Sequence, residues 1–354
     1  PVRQSASYWG IYGIDFFIVF VGSALFMLAR PRNWGSKKIP SLEILSAVAI
    51  LVFLNLSTSL DKPRPENTEL NVSIIQTAKP VRPRESPEEL LADFSEKNKL
   101  LKEASKVSDV VIFPESADFS KTLSGFLDTA SAQKYFTGLS PKNLLIIDSD
   151  RIPEPGGVRS KVVFIDSRDG VVGSYDKKLL TPGGEFLPYL AALPLWVFER
   201  AFQNNFISSE AGFVKGTGDN VLDHNGHKLK IAVCSDIVSP GISGGDEFDF
   251  MVNIGSLAVF NGSRMMEREL ISIARFRATE NGKYLVTASN FGRSYIINNK
   301  GEIEKSTDSP GYQILTTGIV PNNESTWYNK LGDLPILLLS LAIFGLFLKK
   351  FHYV

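Results

Sequence analysis

The chain has 354 residues, of which 44% are hydrophobic and 21% charged, and its 38 basic residues balance 38 acidic ones. A zero net charge excludes the strongly basic surface of a non-specific nucleic-acid-binding protein, and the apolar content excludes an acidic disordered chain. The single cysteine excludes an intramolecular disulfide framework and a cysteine-rich zinc site. The length fits two domains, or one large domain with appendages.

Three apolar segments are predicted to span a membrane. Residues 8–29 and 41–60 each carry one charged side chain, Asp15 and Glu43, and residues 334–348 carry none. The third segment is short for a span, and its alternative is a buried core helix. The first segment does not fit a cleaved signal peptide, because its basic residues follow the apolar run instead of preceding it.

Basic residues next to these segments predict the orientation. They are Arg30, Arg32, Lys37, Lys38, Lys349 and Lys350. Because short cytoplasmic loops are enriched in Lys and Arg, residues 1–61 are expected to form two spans with a cytoplasmic loop. Residues 62–330 then form an extracytoplasmic domain, and residues 331–354 form the third span with a cytoplasmic tail. The chain starts at Pro1 without an initiator Met, and further spans are expected before it.

The region between the second and third spans alternates predicted strands and helices. Strands are predicted at 72–77, 110–113, 144–147, 162–166, 229–233, 250–254, 284–288 and 295–297, and helices at 88–106, 120–136 and 263–281. This alternation is typical of an α/β domain in which helices cover the faces of a sheet.

Polar residues near the ends of predicted strands are the candidates for chemistry. Cys234 follows an apolar strand and could act as a nucleophile, although a buried structural cysteine is its alternative. Glu115 follows a strand that ends at a proline, and a solvated loop glutamate is its alternative. A lysine in the following Pro- and Gly-rich loop could stabilise an oxyanion, and composition alone does not separate Lys177 from Lys178. Glu185 could orient that lysine or relay protons, or it could be an ordinary exposed carboxylate.

These residues occur in recognisable motifs. Glu115 lies in Phe-Pro-Glu-Ser, Lys177 lies in Tyr-Asp-Lys-Lys-Leu-Leu-Thr-Pro-Gly-Gly-Glu-Phe-Leu-Pro, and Cys234 follows its apolar strand. Together they resemble the Glu-Lys-Cys triad of the nitrilase (carbon–nitrogen hydrolase) superfamily. The lysine loop, the flanking apolar segments and the Arg-Ala-Thr-Glu run at 277–280 resemble its membrane branch, the apolipoprotein N-acyltransferases. The resemblance favours Lys177 over Lys178. It implies a nitrilase-like α-β-β-α sandwich domain flanked by transmembrane helices.

The resemblance also implies an activity. Glu115 would be the general base, Cys234 would attack a phospholipid ester to form a thioester, and Lys177 would stabilise the oxyanion, with Glu185 and Asp236 in support. The acyl chain would pass to the amino group of a diacylglyceryl-cysteine lipoprotein. This chemistry needs no cofactor and no metal. The implied location is the bacterial inner membrane, with the catalytic domain on the periplasmic side.

Two short segments depart from the family pattern. The family usually has Cys-Tyr-Glu at the nucleophile, where this chain has Cys-Ser-Asp at 234–236. Downstream, the family tends to have Ser-Asn-Asp-Ala-Trp-Phe-Gly, where residues 255–261 read Gly-Ser-Leu-Ala-Val-Phe-Asn. The shorter side chain of Asp236 and the replacement of tryptophan by Val259 are expected to alter the pocket wall.

The segment 186–206 is rich in large apolar side chains and follows the lysine loop. We predict that it is a membrane-facing arm with Phe186, Tyr189, Trp196 and Phe198 directed to lipid, and its alternative is a helix packed on the domain core.

Two other functional classes stay open from the sequence. A membrane-tethered amidase would use the same triad on a small amide, and a catalytically silent scaffold would be consistent with the changes at Asp236 and Val259. A metal site at His224 and His227 is not expected, because a glycine-containing turn fixes neither ligand and no third ligand is evident.

Overall fold

The computed structural model describes residues 2–29, 69–80, 86–182, 184–186 and 212–351. The strands are β1 Leu70–Gln76, β2 Val110–Ile112, β3 Leu145–Glu154, β4 Gly157–Asp166, β5 Gly170–Asp176, β6 Val221–His224, β7 His227–Val233, β8 Phe250–Ser256, β9 Tyr284–Asn290, β10 Tyr295–Ile297, β11 Ile303–Ser306 and β12 Gln313–Ile319. The helices are α1 Ala6–Ala29, α2 Pro87–Ala104, α3 Phe119–Phe126, α4 Thr129–Thr137, α5 Pro240–Ser243, α6 Arg264–Asn281, α7 Trp327–Leu331 and α8 Leu334–Phe351.

The described strands form two six-stranded mixed sheets. The first has the order β12-β1-β2-β3-β4-β5, and the second has the order β11-β10-β9-β8-β7-β6. In the first sheet β1, β2 and β3 are parallel, and in the second β7, β8 and β9 are parallel. The neighbouring strands on either side pair antiparallel. In α/β folds, the loops that follow the carboxyl ends of parallel strands commonly carry the functional residues.

Alternation along the strands builds three apolar layers. Side chains such as Ile112, Ile147, Ile231 and Val286 lie in one cluster that contains residues of both sheets, so the two sheets pack face to face. The residues at the alternate positions of each strand lie on the outer faces of the sheets. They pack against α2, α3 and α4 on the first sheet and against α6 on the second. This arrangement confirms the predicted nitrilase-like α/β fold with its two sheets between helical layers.

One predicted helix is wrong. Residues 120–136 form two helices, α3 and α4, and not one. Leu127 is extended at φ −124° and ψ 143°, and the carboxylate of Asp128 accepts a 2.7 Å hydrogen bond from the backbone nitrogen of Ser131. An aspartate at this position starts a new helix by satisfying one of its free amide groups. The apolar spacing continues across the break, which is why periodicity alone did not show it.

Four strands were not predicted, namely β5, β6, β11 and β12. The strand β6 forms a hairpin with β7 through Asn225 and Gly226, whose φ angles are 52° and 79°. Two positive φ values in a two-residue loop are what a tight hairpin of the right twist requires. The predicted turn is thus present, but it joins two strands.

Among the described residues, one helical segment, Arg3–Ser23 in and just before α1, is long and apolar enough to cross a membrane. The helix α8 contains a shorter apolar segment, Leu334–Gly345. The predicted span at 41–60 lies outside the described residues. Of the membrane helices expected on either side of the domain, α1 is therefore supported. The orientation predicted from the basic residues stays a prediction.

The first turns of α1 dock on the sandwich at a kink. Gly10 has φ 68° and ψ −178°, and the ring of Tyr328 in α7 lies against it. The backbone nitrogen of Ile11, freed by the kink, donates a 2.7 Å hydrogen bond to Oε1 of Glu280. Glu280 is fully buried and pairs with Arg277. The Arg-Ala-Thr-Glu run thus satisfies a backbone group that the kink would otherwise leave unpaired.

Candidate active site

Cys234 lies at the carboxyl end of β7, in a strained turn. Its φ is 49°, a left-handed value that is uncommon for residues with a side chain, and it begins the short 3-10 helix Cys234–Val238. The chain reverses sharply between a buried strand and this helix, so the half-buried thiol stands beyond the end of the sheet. Backbone strain of this kind is often found at functional residues because it orients one side chain.

Glu115 and Lys177 come from the first sheet and meet at this point. Glu115 follows β2 and is 4% exposed, and Lys177 follows β5 and is 1% exposed. Their closest atoms, Nζ and Oε1, are 3.8 Å apart, and Lys177 Nζ donates a 2.7 Å hydrogen bond to Oε1 of Glu185. The Glu115 carboxylate and the Lys177 cation both act on the Cys234 thiol, the carboxylate raising its pKa and the cation lowering it. The structure therefore brings together the predicted Glu115, Lys177, Cys234 and Glu185.

The structure also separates the two lysines. The ammonium of Lys178 lies over the ring of Tyr175, 5.9 Å from its centroid, and among the described residues it forms no ion pair with Glu115 or Glu185. Lys177 lies on the inner face because it is two residues beyond Tyr175, which belongs to the cluster between the sheets. Position along the strand thus distinguishes two residues that composition left equal.

The charges of the site shift its proton affinities. Burial raises the pKa of Glu115, against the opposing effect of the Lys177 and Arg151 cations. Burial and the nearby Glu115 carboxylate raise the pKa of the Cys234 thiol to about 12. Burial alone would lower the pKa of Lys177, but the surrounding anionic groups, Glu115 first, raise it. The resting site therefore holds a protonated thiol beside a carboxylate with increased proton affinity and a permanent cation.

Asp236 holds the lysine loop against the end of β7. It is fully buried and accepts hydrogen bonds from Tyr175 Oη at 2.8 Å, from the backbone nitrogens of Lys178 and Leu179 at 3.2 and 2.6 Å, and from that of Val233 at 3.1 Å. The shorter side chain of aspartate therefore has a complete set of partners. Asp236 does not touch the reacting groups, and it acts on them through the position of the loop.

Glu185 and Ser235 add further contacts to the same loop. The second oxygen of Glu185, Oε2, accepts a 2.7 Å hydrogen bond from the backbone nitrogen of Thr181, which closes the loop on itself. The hydroxyl of Ser235 donates to the carbonyl of Leu179 and lies 3.2 Å from the hydroxyl of Thr181. The hydroxyl thus takes part in holding the loop where the family pattern has a tyrosine.

The predicted lipid-facing residues are only partly described. Phe186 is 40% exposed and follows Glu185 directly, so an apolar surface adjoins the catalytic loop. Tyr189, Trp196 and Phe198 lie outside the described residues, and the proposed arm stays a prediction.

The segment after β8 forms the wall on the other side of the thiol. The backbone of Ser256 acts on the Cys234 thiol and opposes the rise in its pKa. Leu257 lines a small cavity next to Cys234, whereas the side chain of Val259 is 64% exposed. Val259 does not line this cavity, and the expectation that its replacement of tryptophan alters the substrate pocket stays a prediction.

Sequence reasoning missed Arg151. It lies in β3 at the same face of the first sheet as Ile147, four residues earlier, and its charge acts on Glu115. Its guanidinium stacks over the ring of Phe213 at 5.4 Å. The alternation of Ile147, Ser149 and Arg151 was a usable signal, but it required the inner face of the strand to be known.

Within the part of the chain that the structure describes, no group of three His, Cys, Asp or Glu side chains is placed to hold a metal ion. His224 Nε2 lies 2.6 Å from Oδ2 of Asp166. The residues that converge are an acid–base carboxylate, an ammonium group and a thiol, which suit covalent acyl transfer.

Solved structures of similar fold share little sequence with this chain. An amidase from Nesterenkonia sp. AN1 superimposes with a TM-score of 0.52 at 17% identity, covering 79% of this chain and 99% of that one. A CN-hydrolase superfamily protein from Xanthomonas campestris gives a TM-score of 0.51 at 17% identity over 71% of this chain and 91% of that one. These likenesses support the fold.

Curated relatives are more similar in sequence. The apolipoprotein N-acyltransferase of Geobacter metallireducens is 28% identical over 351 residues, which are 94% of this chain and 64% of that protein. The apolipoprotein N-acyltransferase of Shewanella oneidensis is 26% identical over 97% of this chain and 66% of that protein. The chain thus spans about two thirds of the length of these relatives.

The model of the carbon–nitrogen hydrolase family matches residues 72–328, a range that contains both sheets and all the converging side chains. The chain therefore belongs to the carbon–nitrogen hydrolase family.

Proposed function

We propose that the protein is a membrane N-acyltransferase that moves a fatty acyl chain from a phospholipid, through a thioester on Cys234, to the amino group of a diacylglyceryl-cysteine lipoprotein. The observation that carries the proposal is the convergence of Glu115, Lys177 and Cys234 in a chain that is similar along 94% of its length to an apolipoprotein N-acyltransferase.

Exposed apolar surface supports a lipid substrate. The outward side chains of α1 include Ile18 and Val19, which are 60% and 68% exposed, and those of α8 include Leu338 and Phe344, which are 57% and 58% exposed. Helices with such faces are stable when the faces contact lipid or another apolar surface. A bilayer around α1 and α8 would supply phospholipid acyl chains to the catalytic domain.

The first half-reaction follows from the contacts of Cys234. Glu115 accepts the thiol proton as the sulfur attacks the ester carbonyl, and the carbonyl oxygen becomes an oxyanion next to Lys177 Nζ. The C–O bond then breaks, Glu115 returns the proton to the departing glycerol oxygen, and a thioester and a lysophospholipid remain. Glu185 keeps Lys177 in place through its 2.7 Å hydrogen bond.

The second half-reaction reuses the same groups. The neutral amine of the acceptor attacks the thioester carbonyl, Lys177 again faces the oxyanion, and Glu115 takes a proton from the nitrogen. The C–S bond breaks, the sulfur leaves, and the proton passes back to it. The product is an amide, and the enzyme returns to its starting state, as in other two-step covalent mechanisms.

The test is intact-protein mass spectrometry of the purified protein in phospholipid-containing detergent micelles. We expect an adduct with the mass of one acyl chain, absent in Cys234→Ala and discharged when a diacylglyceryl-cysteine peptide is added. Cys234→Ala removes only the nucleophile, and its thermal unfolding gives the control for folding.

Other outcomes would contradict the proposal. Ammonia release from small amides without any lipid adduct would indicate a membrane-tethered amidase. A folded protein that forms no adduct with phospholipid, ester or amide would indicate a catalytically silent scaffold.

We further propose that the protein is a multi-pass protein of the bacterial cytoplasmic membrane with its catalytic domain on the periplasmic side. The names of the relatives, the apolar helix α1 and the basic residues beside the predicted spans support this placement.

A further inference from the structure

Among the described residues, Arg151 is a cation of the candidate site with no carboxylate within ion-pair distance. Its Nε atom is buried and makes no hydrogen bond, and among the described residues its guanidinium takes part in no ion pair. A buried donor without a partner is disfavoured, and a charged one more so, and such groups in native proteins commonly face a ligand or solvent.

The topology places Arg151 in a row of polar residues on the inner face of the first sheet. Glu115 follows β2, Arg151 lies in β3, its cross-strand neighbour Ser160 lies in β4, and Lys177 follows β5. Three of these residues are in phase with apolar residues of the cluster between the sheets: Arg151 with Ile147, Ser160 with Val162 and Lys177 with Tyr175. The hydroxyl of Ser160 is also buried and without a hydrogen-bond partner.

The two cations in this row have different environments. Lys177 is neutralised by Glu185 at 2.7 Å and faces Glu115 at 3.8 Å, so its charge is already paired within the reaction centre. Arg151 is held over Phe213 at 5.4 Å, and the backbone of Phe213 is bonded to the carbonyl of Glu185 at 3.1 Å. The guanidinium is thus fixed in position beside the reaction centre, with its donors unused.

We infer that Arg151, with the hydroxyl of Ser160, binds the phosphodiester of the acyl donor. Guanidinium groups bind phosphate through paired, charge-assisted hydrogen bonds, and a stacked aromatic ring preorganises them. In a glycerophospholipid the phosphate and the reacting ester are joined through one glycerol unit. A phosphate at Arg151 would therefore direct an ester carbonyl toward Cys234 and Lys177. This inference rests on the proposed function and names the part of the donor that the site recognises.

The experiment compares two donors with identical acyl chains, phosphatidylglycerol and diacylglycerol, in detergent micelles. The rate of Cys234 acylation is followed by intact-protein mass spectrometry, and the measured quantity is the ratio of the two rates. We expect the wild-type protein to prefer phosphatidylglycerol and Arg151→Met to lower the ratio about 10- to 100-fold, the range for loss of a hydrogen bond to a charged group.

Lys121→Met is the matched control. Lys121 lies in α3, is paired with Asp150 at 2.8 Å, and has a side chain that is 53% exposed. The variant removes a cation outside the sandwich core, whose Nζ also donates a 3.0 Å hydrogen bond to the backbone carbonyl of Arg151, and it should keep the wild-type ratio because the guanidinium is unchanged. An equal ratio in Arg151→Met and wild type, or equal lowering by Lys121→Met, would overturn the inference.

Inorganic phosphate distinguishes a lipid headgroup from a free anion. If Arg151 binds the headgroup, phosphate should compete with phosphatidylglycerol and leave acylation by diacylglycerol unchanged. Slowing of both donors by phosphate, with no donor preference in the wild type, would show a free-anion site and refute the headgroup assignment. If the wild type is acylated by neither lipid, the proposed function itself fails, a result distinct from a lost donor preference.

Discussion

The single side chain of Asp236 connects two parts of the chain that are distant in sequence. Its two oxygens accept hydrogen bonds from the end of β7 and from the backbone just beyond Lys177, which are more than fifty residues apart in sequence. Buried carboxylates in such positions contribute by satisfying several donors at once, and their loss leaves all of those donors without partners.

We predict that Asp236→Ala lowers the free energy of unfolding by about 3 kcal/mol, because it leaves three backbone amides and one hydroxyl without their acceptor. Urea titration in detergent micelles measures the change. Tyr175→Phe removes one of the four bonds and should lower the stability by only about 1 kcal/mol. Equal effects of the two variants would show that the carboxylate does not hold the loop.

We expect the pH dependence of the acylation rate to follow the ionisation of Glu115. Glu115 must be ionised to accept the thiol proton, and burial raises its pKa above the ordinary value of 4.5. The rate should therefore fall as pH drops through that raised pKa, at a higher pH than a solvated glutamate would give. The negative charge of Glu185 contributes to the increase.

Glu185→Gln should accordingly move the acidic limb of the acylation rate to lower pH, since it removes a like charge from beside Glu115. The initial rate of thioester formation, measured across the acidic range, reports the limb. Glu154→Gln is the control, because Glu154 pairs with Arg159 and not with the triad. A limb that moves to higher pH in Glu185→Gln would contradict this account.

Motifs identified most of the site residues, but not all. Glu115, Lys177, Glu185 and Cys234 lie in short motifs whose residue types suit acyl transfer, so the sequence was enough to select them. Arg151 has no such motif, and only the sheet order brings it to the site.

At the scale of secondary-structure elements, single residues determine where helices begin and end. The break between α3 and α4 depends on the extended backbone of Leu127 and the capping carboxylate of Asp128. The start of α2 has a stronger signal, because Ser86 and Glu89 form a reciprocal capping box. Apolar spacing predicted where helices lie, while local hydrogen bonds decided where they end.

The junction of α1 with the sandwich requires a glycine at position 10. A Cβ atom there would lie 2.1 Å from the ring of Tyr328, and φ is 68°. We predict that Gly10→Ala lowers the free energy of unfolding by about 2–4 kcal/mol through overpacking and backbone strain. Thermal unfolding, with limited proteolysis near residue 10, measures the loss of docking.

Gly22→Ala is the control on the same helix. An added Cβ at Gly22 meets no atom within 4 Å, so this variant should be as stable as the wild type or slightly more stable. Comparable losses in the two variants would mean that the effect comes from the helix itself and not from its contact with Tyr328.

At the scale of the whole molecule, the predicted topology can be tested by cysteine labelling. In a Cys234→Ala background, Ser131→Cys places a thiol on the exposed surface of α4, and Ser36→Cys places one in the predicted cytoplasmic loop. A membrane-impermeant maleimide should label Ser131→Cys in cells with a permeabilised outer membrane. It should label Ser36→Cys only after lysis, and the reverse pattern would refute the orientation.

The sequence by itself determined the α/β class, the family and four residues of the candidate site, because alternation, strand-end motifs and residue chemistry are local properties. Only the tertiary structure decided which face of each strand meets the thiol. It set the ammonium of Lys177 beside Glu115 and Glu185, gave Asp236 its four partners and placed Arg151 near Glu115. These outcomes depend on how two sheets pack against each other, and such long-range contacts leave no signal in a single stretch of chain.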